Sequence, residues 1–148
     1  MAVPAIPKGY HSVTPYLMIG GAARLIDFLK QAFDATETER FSGPDGSIMH
    51  AEVKIGDSVV MLGEPRDESQ RMPGSIYLYV KDTDECYRRA LQAGASSMME
   101  PADQFYGDRS AGVKDPTGNV WWIATHIEDV PPEEMKRRME AAMKQKVH

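Results

Sequence analysis

The chain has 148 residues, which suits one domain or two small halves sharing a core. Its apolar fraction of 42% is ordinary for a soluble protein, no run reaches the ~18 apolar residues of a membrane span, and the single cysteine, Cys86, excludes an internal disulfide framework and fits a reducing cytoplasm. A net charge of −5 argues against nucleic acid, whose phosphates demand basic patches; the one dense basic run, Lys136-Arg137-Arg138, is balanced by Glu133, Glu134 and Glu140.

Residues 1–10 carry two prolines and a glycine and read as an irregular arm, with no long apolar core after a basic start and hence no signal peptide. HSVTPYLMI, 11–19, is rich in strand formers and ends at Gly20-Gly21. AARLIDFLKQAF, 22–33, sets Leu25, Phe28, Leu29, Ala32 and Phe33 at helical spacing. ATETERF, 35–41, alternates weakly, and GPDG, 43–46, is a turn. IMHAEVKI, 48–55, alternates clearly, and Gly56-Asp57 turns the chain into SVVMLGE, 58–64. The polar, proline-bounded segment 65–74 reads as a linker.

The same order then repeats. SIYLYV, 75–80, is a strand. Asp82 begins a helix with Glu85 three residues later, as in a capping box; Cys86, Ala90 and Leu91 form its apolar stripe, and Gly94 stops it. ASSMME, 95–100, and RSAGVK, 109–114, are weaker strands; DPTG, 115–118, is a turn, and NVWWIATH, 119–126, is the last strand. A final amphipathic helix, about 132–145, shows Met135, Met139, Ala142 and Met143 on one side, which reads as a docking face.

Gly56-Asp57 matches Gly118-Asn119, and Asp34-Ala35 matches Gly94-Ala95, so the offset stays near 60 and suggests a duplicated unit. The fold class expected is α+β: two βαβββ modules, 11–64 and 75–126, forming a curved mixed sheet around a cavity, plus the C-terminal helix. One helix covers only one face of each sheet, which leaves the other faces to line the cavity. Alternation puts Pro15, Leu17, Ile19, Ala51, Val53, Ile55, Ile76, Leu78, Val80, Trp121 and Ile123 on the helix side. It puts Thr14, Tyr16 and Met18, His50 and Glu52, Ser58, Val60 and Leu62, Ser75, Tyr77 and Tyr79, and Trp122, Ala124 and His126 on the cavity side. Aromatic and mixed polar composition suits a ligand cleft, and equally a dimer interface.

The segments TPYLMIGGAARLIDFLKQAF, MHAEVKIGDSVVML, IYLYVKDTDECYRRALQAGA and QFYGDRSAGVKDPTGNVWWIATHIEDV cover most of 14–130. In them the chain resembles the vicinal oxygen chelate superfamily, which holds glyoxalase I, extradiol dioxygenases and bleomycin-resistance proteins. QFYGDRS and THIEDV resemble its PhnB-like branch. In metal-dependent members, His or Glu side chains from the first, fourth, fifth and eighth strands converge on a divalent ion. Carried over by spacing, those slots fall on Thr14, Val60, Ser75 and Trp122, and one step along on Pro15, Met61, Ile76 and Trp121. None is a good metal ligand, so the expected cofactor is none.

The ligand-binding candidates are Thr14, Tyr16, His50, Glu52, Ser75, Tyr77, Tyr79, Tyr106, Arg109 and Trp122. Arg109 is chosen because a guanidinium forks onto carboxylate or phosphate, with a salt bridge to Asp108 or Glu52 as the alternative. The function expected is metal-free binding of a small aromatic or amphipathic molecule by a cytoplasmic homodimer, with no nucleic-acid or membrane partner. Two alternatives stand beside it. One is a superfamily enzyme (lyase, isomerase or dioxygenase) using His50 and Glu52 as acid and base, or a displaced metal on His11, His50, Glu52 and His126. The other is a scaffold whose cavity is filled.

Overall fold

A computed structural model describes residues 2–146. In chain order the elements are β1 Tyr16–Met18, α1 Ala22–Phe33, β2 Thr36–Ser42, β3 Ile48–Ile55, β4 Ser58–Gly63, β5 Ser75–Tyr79, α2 Thr83–Gln92, β6 Ser96–Asp103, β7 Asp108–Lys114, β8 Val120–His126 and α3 Pro132–Lys146. A single 3-10 turn, Glu68–Gln70, interrupts the segment between β4 and β5. The strands form two four-stranded mixed sheets, β1-β4-β3-β2 and β5-β8-β7-β6. In each, the first strand runs parallel to the last and the others pair antiparallel. This is the expected pair of βαβββ modules with a C-terminal helix. No helix among the described residues is long and apolar enough to cross a membrane.

Local chemistry explains the elements. Helix α1 buries Leu25, Ile26, Phe28, Leu29, Ala32 and Phe33, and its first free N–H, on Ala22, donates to the Glu64 carboxylate at 3.1 Å. The other Glu64 oxygen accepts from the Ile48 N–H at 3.2 Å, so one side chain caps the helix and pins β3. Helix α2 is capped as its sequence suggests: Asp82 accepts from the Glu85 N–H at 3.1 Å. Its buried stripe is Thr83, Cys86 and Ala90, whereas Leu91 is exposed, because it lies about a quarter turn beyond that stripe. The first strand also begins later than expected: residues 11–15 prolong the N-terminal arm, and only the Pro15 carbonyl joins the ladder, accepting from the Met61 N–H at 2.9 Å.

The modules share one core across the two helices. Phe33 packs against Trp121 with ring centroids 5.1 Å apart, and the Cys86 thiol donates to the Ala32 carbonyl at 3.5 Å. Arg89 forks onto Asp34 at 2.6 and 2.9 Å at the rim of this contact. The helix-side residues of the strands fill the space between, each fully buried Leu, Ile or Phe contributing about 1.5–3 kcal/mol over exposure.

One strand faces the other way from its sequence expectation. Ser58, Val60 and Leu62 lie on the helix side, not the cavity side, with Val60 and Leu62 in the core. The two-residue turn at Gly56-Asp57 pairs Ile55 with Ser58, Val53 with Val60 and Ala51 with Leu62, and residues directly opposite on neighbouring strands share a face. Met61 is therefore the β4 residue that faces outward beside Glu52.

Candidate functional site

The faces turned away from the helices carry the polar chemistry, in two separate sets. On the first sheet, β3 projects His50 and Glu52 to the same side. His50 Nε2 meets Glu52 Oε2 at 2.7 Å, and the Tyr16 hydroxyl meets His50 Nδ1 at 3.0 Å. From the arm, the Tyr10 hydroxyl donates to Glu52 Oε1. Glu52 is 5% exposed, because the arm folds over it and encloses a cavity of about 380 Å³ among Ile6, Tyr10, His11, Thr14, Glu52 and Met61. Burial works to raise the Glu52 pKa, but the bonds from His50 and Tyr10 outweigh it and hold the carboxyl below its usual range. The Tyr10 hydroxyl is pushed up by donating to that carboxylate. A bulge in β2 between Glu37 and Glu39 places Glu39 opposite Glu52, on the same face. Glu39, His50 and Glu52 then offer three ligand-type atoms within 4.8 Å of one another.

On the second sheet the organising group is Asp108, at the start of β7 and only 3% exposed. Its Oδ2 accepts from the Tyr77 hydroxyl at 2.8 Å and the Tyr79 hydroxyl at 2.9 Å, and its Oδ1 meets His126 Nδ1 at 2.8 Å. His126 Nε2 meets Asp129 at 2.6 Å, so both ring nitrogens face carboxylates and the imidazole pKa rises, chiefly through Asp108. Burial works to raise the Asp108 pKa, yet the three donors around it win and keep it low. Burial first, then bonding to Asp108, pushes the Tyr77 hydroxyl far up, and bonding to Asp108 raises Tyr79. These hydroxyls stay protonated and point their hydrogens at the buried carboxylate.

Beside this network lies a cavity of about 310 Å³ lined by Tyr77, Met99, Gln104, Tyr106, Ser110 and Trp122. The Trp122 indole lies flat over Gly112, its partner on β7; a Cβ there would sit 2.5 Å from the ring, so only glycine lets the indole settle. The Trp122 N–H donates to Ser75 Oγ at 3.1 Å. Phe105 holds the Tyr106 ring edge-on at 5.3 Å. Gly107, with φ +99°, lets the loop turn where a Cβ would meet the Glu128 carbonyl at 2.2 Å.

The sequence candidates thus divide. Thr14, Tyr16, His50 and Glu52 share the first sheet's outer face, and Ser75, Tyr77, Tyr79, Tyr106 and Trp122 gather on the second. Arg109 joins neither: it forks onto Asp84 at 2.7 and 2.9 Å and reaches Asp103 at 3.0 Å, next to the start of α2. Its partners are neither Asp108 nor Glu52, because alternation on β7 turns it away from Asp108. Asp108 itself was missed as a site residue; its signal is the register that sets it opposite His126. Asp115 was missed too, as a structural hub: it accepts from Thr117, Asn119 and, at 2.8 Å, the Trp121 indole, which accounts for the Asp-Pro-Thr-Gly-Asn turn.

The positions that would carry a metal between the sheets are Thr14, Met61, Ser75 and Trp122, once the β4 register is corrected. They supply no imidazole and no carboxylate, so they do not fit a metal. A third concavity, about 870 Å³, opens between the β3–β4 turn, β5 and the start of α2. The Arg89–Asp34 pair at its wall already satisfies both charges.

Comparison with known proteins agrees with this architecture. The profile described as Glyoxalase/Bleomycin resistance protein/Dioxygenase superfamily matches residues 10–123. The uncharacterized protein Mb0911c of Mycobacterium bovis is 35% identical over 142 residues, covering 86% of this chain and 91% of the relative. The uncharacterized protein Rv0887c of Mycobacterium tuberculosis is also 35% identical, with 82% of its length covered. Among solved structures, TioX from Micromonospora sp. ML1 superposes with a TM-score of 0.67 at 24% identity, over 79% of this chain and 99% of TioX. A glyoxalase/bleomycin resistance protein/dioxygenase family enzyme from Burkholderia phytofirmans gives 0.62 at 19% identity, over 80% and 98%. At such identities the structural likeness speaks to fold alone.

Proposed function

The chain belongs to the Glyoxalase/Bleomycin resistance protein/Dioxygenase superfamily, and from that premise we propose that it binds a small aromatic or amphipathic molecule without a metal. The observation that carries the proposal is the aromatic cavity on the second sheet, where a half-buried Trp122 shares a wall with Tyr77 and Tyr106. Apolar rings supply affinity and a few fixed polar groups supply orientation. Tyr77 and Tyr79 remain exposed around it, which favours a homodimer that covers them and completes the cleft. Trp121 is fully buried, so emission that responds to added small molecules reports Trp122. A panel of one-ring and two-ring compounds is expected to quench the wild type and to leave Trp122→Phe unaffected. Equal quenching of the two proteins would count against the cavity.

A second reading is favoured by the Glu39, His50 and Glu52 cluster: a superfamily enzyme using His50 and Glu52 as acid and base, or a displaced divalent ion. Support for the ion would be stoichiometric Zn, Ni, Fe or Mn in protein purified without chelators, lost in Glu52→Gln. A metal content unaffected by Glu52→Gln would set that reading aside.

A further inference from the structure

The cavity on the second sheet has an unusual division of donors and acceptors. Its lining of Tyr77, Met99, Gln104, Tyr106, Ser110 and Trp122 includes no lysine, arginine or histidine. Its strongest N–H donor, the Trp122 indole, is committed to Ser75. The Tyr77 hydrogen is committed to Asp108, as is that of Tyr79 behind it, their rings 5.3 Å apart. A tyrosine that donates to a carboxylate keeps only lone pairs for anything else, and the donated bond makes its oxygen more electron-rich. Arg109, the guanidinium nearest in sequence, is locked between Asp84 and Asp103 and unavailable to an anion. Asp108 and Asp129 bring two negative charges against one imidazolium at most, in a chain of net charge −5.

What faces the cavity is therefore three π-faces, the Met99 thioether, the neutral Gln104 amide, the Tyr106 and Ser110 hydroxyls, and an acceptor oxygen backed by a buried carboxylate. An anion finds only neutral donors there, beside the negative charge of the buried Asp108. A neutral hydrocarbon finds the rings but makes no use of the tyrosine oxygen. A positively charged nitrogen satisfies both, through the ring quadrupoles and through the oxygen. Resting on the small-molecule reading above, we propose that this cavity is a binding site for an organic cation, an alkyl- or arylammonium group seated against Tyr77, Tyr106 and Trp122. Its volume of about 310 Å³ suits a one-ring ligand.

Three one-ring probes of different charge test the proposal: benzyltrimethylammonium, its neutral carbon isostere neopentylbenzene, and the smaller anion phenylacetate. Binding is read on the full-length protein from the indole N–H resonance of Trp122, assigned by its loss in Trp122→Phe. The cation is expected to bind about tenfold more tightly than the isostere, and phenylacetate not at all. Asp108→Asn is expected to erase most of that preference while leaving the isostere's affinity unchanged. Tyr77→Phe, which keeps the ring and removes the oxygen, serves if Asp108→Asn does not fold, and is expected to cut cation affinity about threefold. Equal binding of cation and isostere, or preference for phenylacetate, overturns the cation while leaving the cavity as a binding site. If no probe moves Trp122, the small-molecule reading falls with it.

Discussion

The two modules solve the same problem twice and differently. Each buries a carboxylate on the face away from its helix and holds it with tyrosine and histidine. In the first, Glu52 is met by His50 two residues earlier on the same strand and by Tyr10 from the arm. In the second, Asp108 is met by His126 across the sheet and by Tyr77 and Tyr79 from the parallel edge strand. The helix-side faces of the modules are equivalent in composition; the outer faces are not. The first is roofed by the chain's own N-terminus, the second is open and aromatic. The two modules agree on the face that builds the shared core and differ on the face turned away from it.

The adjacent tryptophans of β8 sharpen this division, because one stands on each side of it. Trp121 is fully buried, packs on Phe33 of the other module and donates to Asp115. Trp121→Ala is expected to cost about 3–5 kcal/mol, since it opens a cavity at the shared core and strips a donor from a buried carboxylate. Trp122→Ala is expected to cost about 1–2 kcal/mol, because its ring is half-buried against Gly112. Denaturant midpoints measured side by side check this. Equal losses would mean that the outer face of the second module is part of the folding core and not a binding wall.

The same division marks what the sequence discloses. Helix-side alternation is strong because burial selects it, so α1 and β3 are legible from Leu25, Phe28, Val53 and Ile55, and the duplicated order from the match of Gly56-Asp57 to Gly118-Asn119. His50 and Glu52 are legible for the same reason, standing as polar gaps in an apolar rhythm. Alternation alone puts Val60 on the wrong face because strand phase is set by the hairpin register at Gly56-Asp57, not by apolar content; on β4, Val59 and Val60 look alike. Asp108 carries no such signal, because its partners lie on β5 and β8 and nothing within a few residues of it marks that convergence. The arm over Glu52 was illegible too, since a lone tyrosine in a proline-rich stretch carries no periodicity.

That arm is the second place to break the comparison. Tyr10→Phe removes the bond to Glu52 and keeps the ring. The carboxyl is then expected to titrate at higher pH, since one of the groups holding it low is gone and burial still opposes its charge. Amide hydrogen exchange of residues 6–12 is expected to quicken in the variant while that of β5 and β8 stays unchanged. If the two faces quicken together, the arm stabilises the whole molecule and is not a roof on one module.

The smallest expected effect concerns His126 on the open face. His126 has its pKa raised by Asp108 and Asp129, so the folded state binds its proton more tightly than the unfolded chain does. Its contribution to stability is complete below the unfolded value near ~6.5 and fades as pH rises through the higher folded value. Asp108 runs the other way: held low, it contributes above the ordinary carboxylate range and loses that contribution as acid protonates it. Thermal midpoints of the wild type are therefore expected to decline slightly from about pH 6 toward pH 8.5. His126→Gln is expected to flatten that decline and to move the acid limb to higher pH, because the bond from His126 is the chief group holding Asp108 low. His126 is half exposed, so solvent screening keeps the change modest. Should His126→Gln leave the alkaline limb unchanged, the pair with Asp108 does not set it, and the open face owes its order to the tyrosines alone.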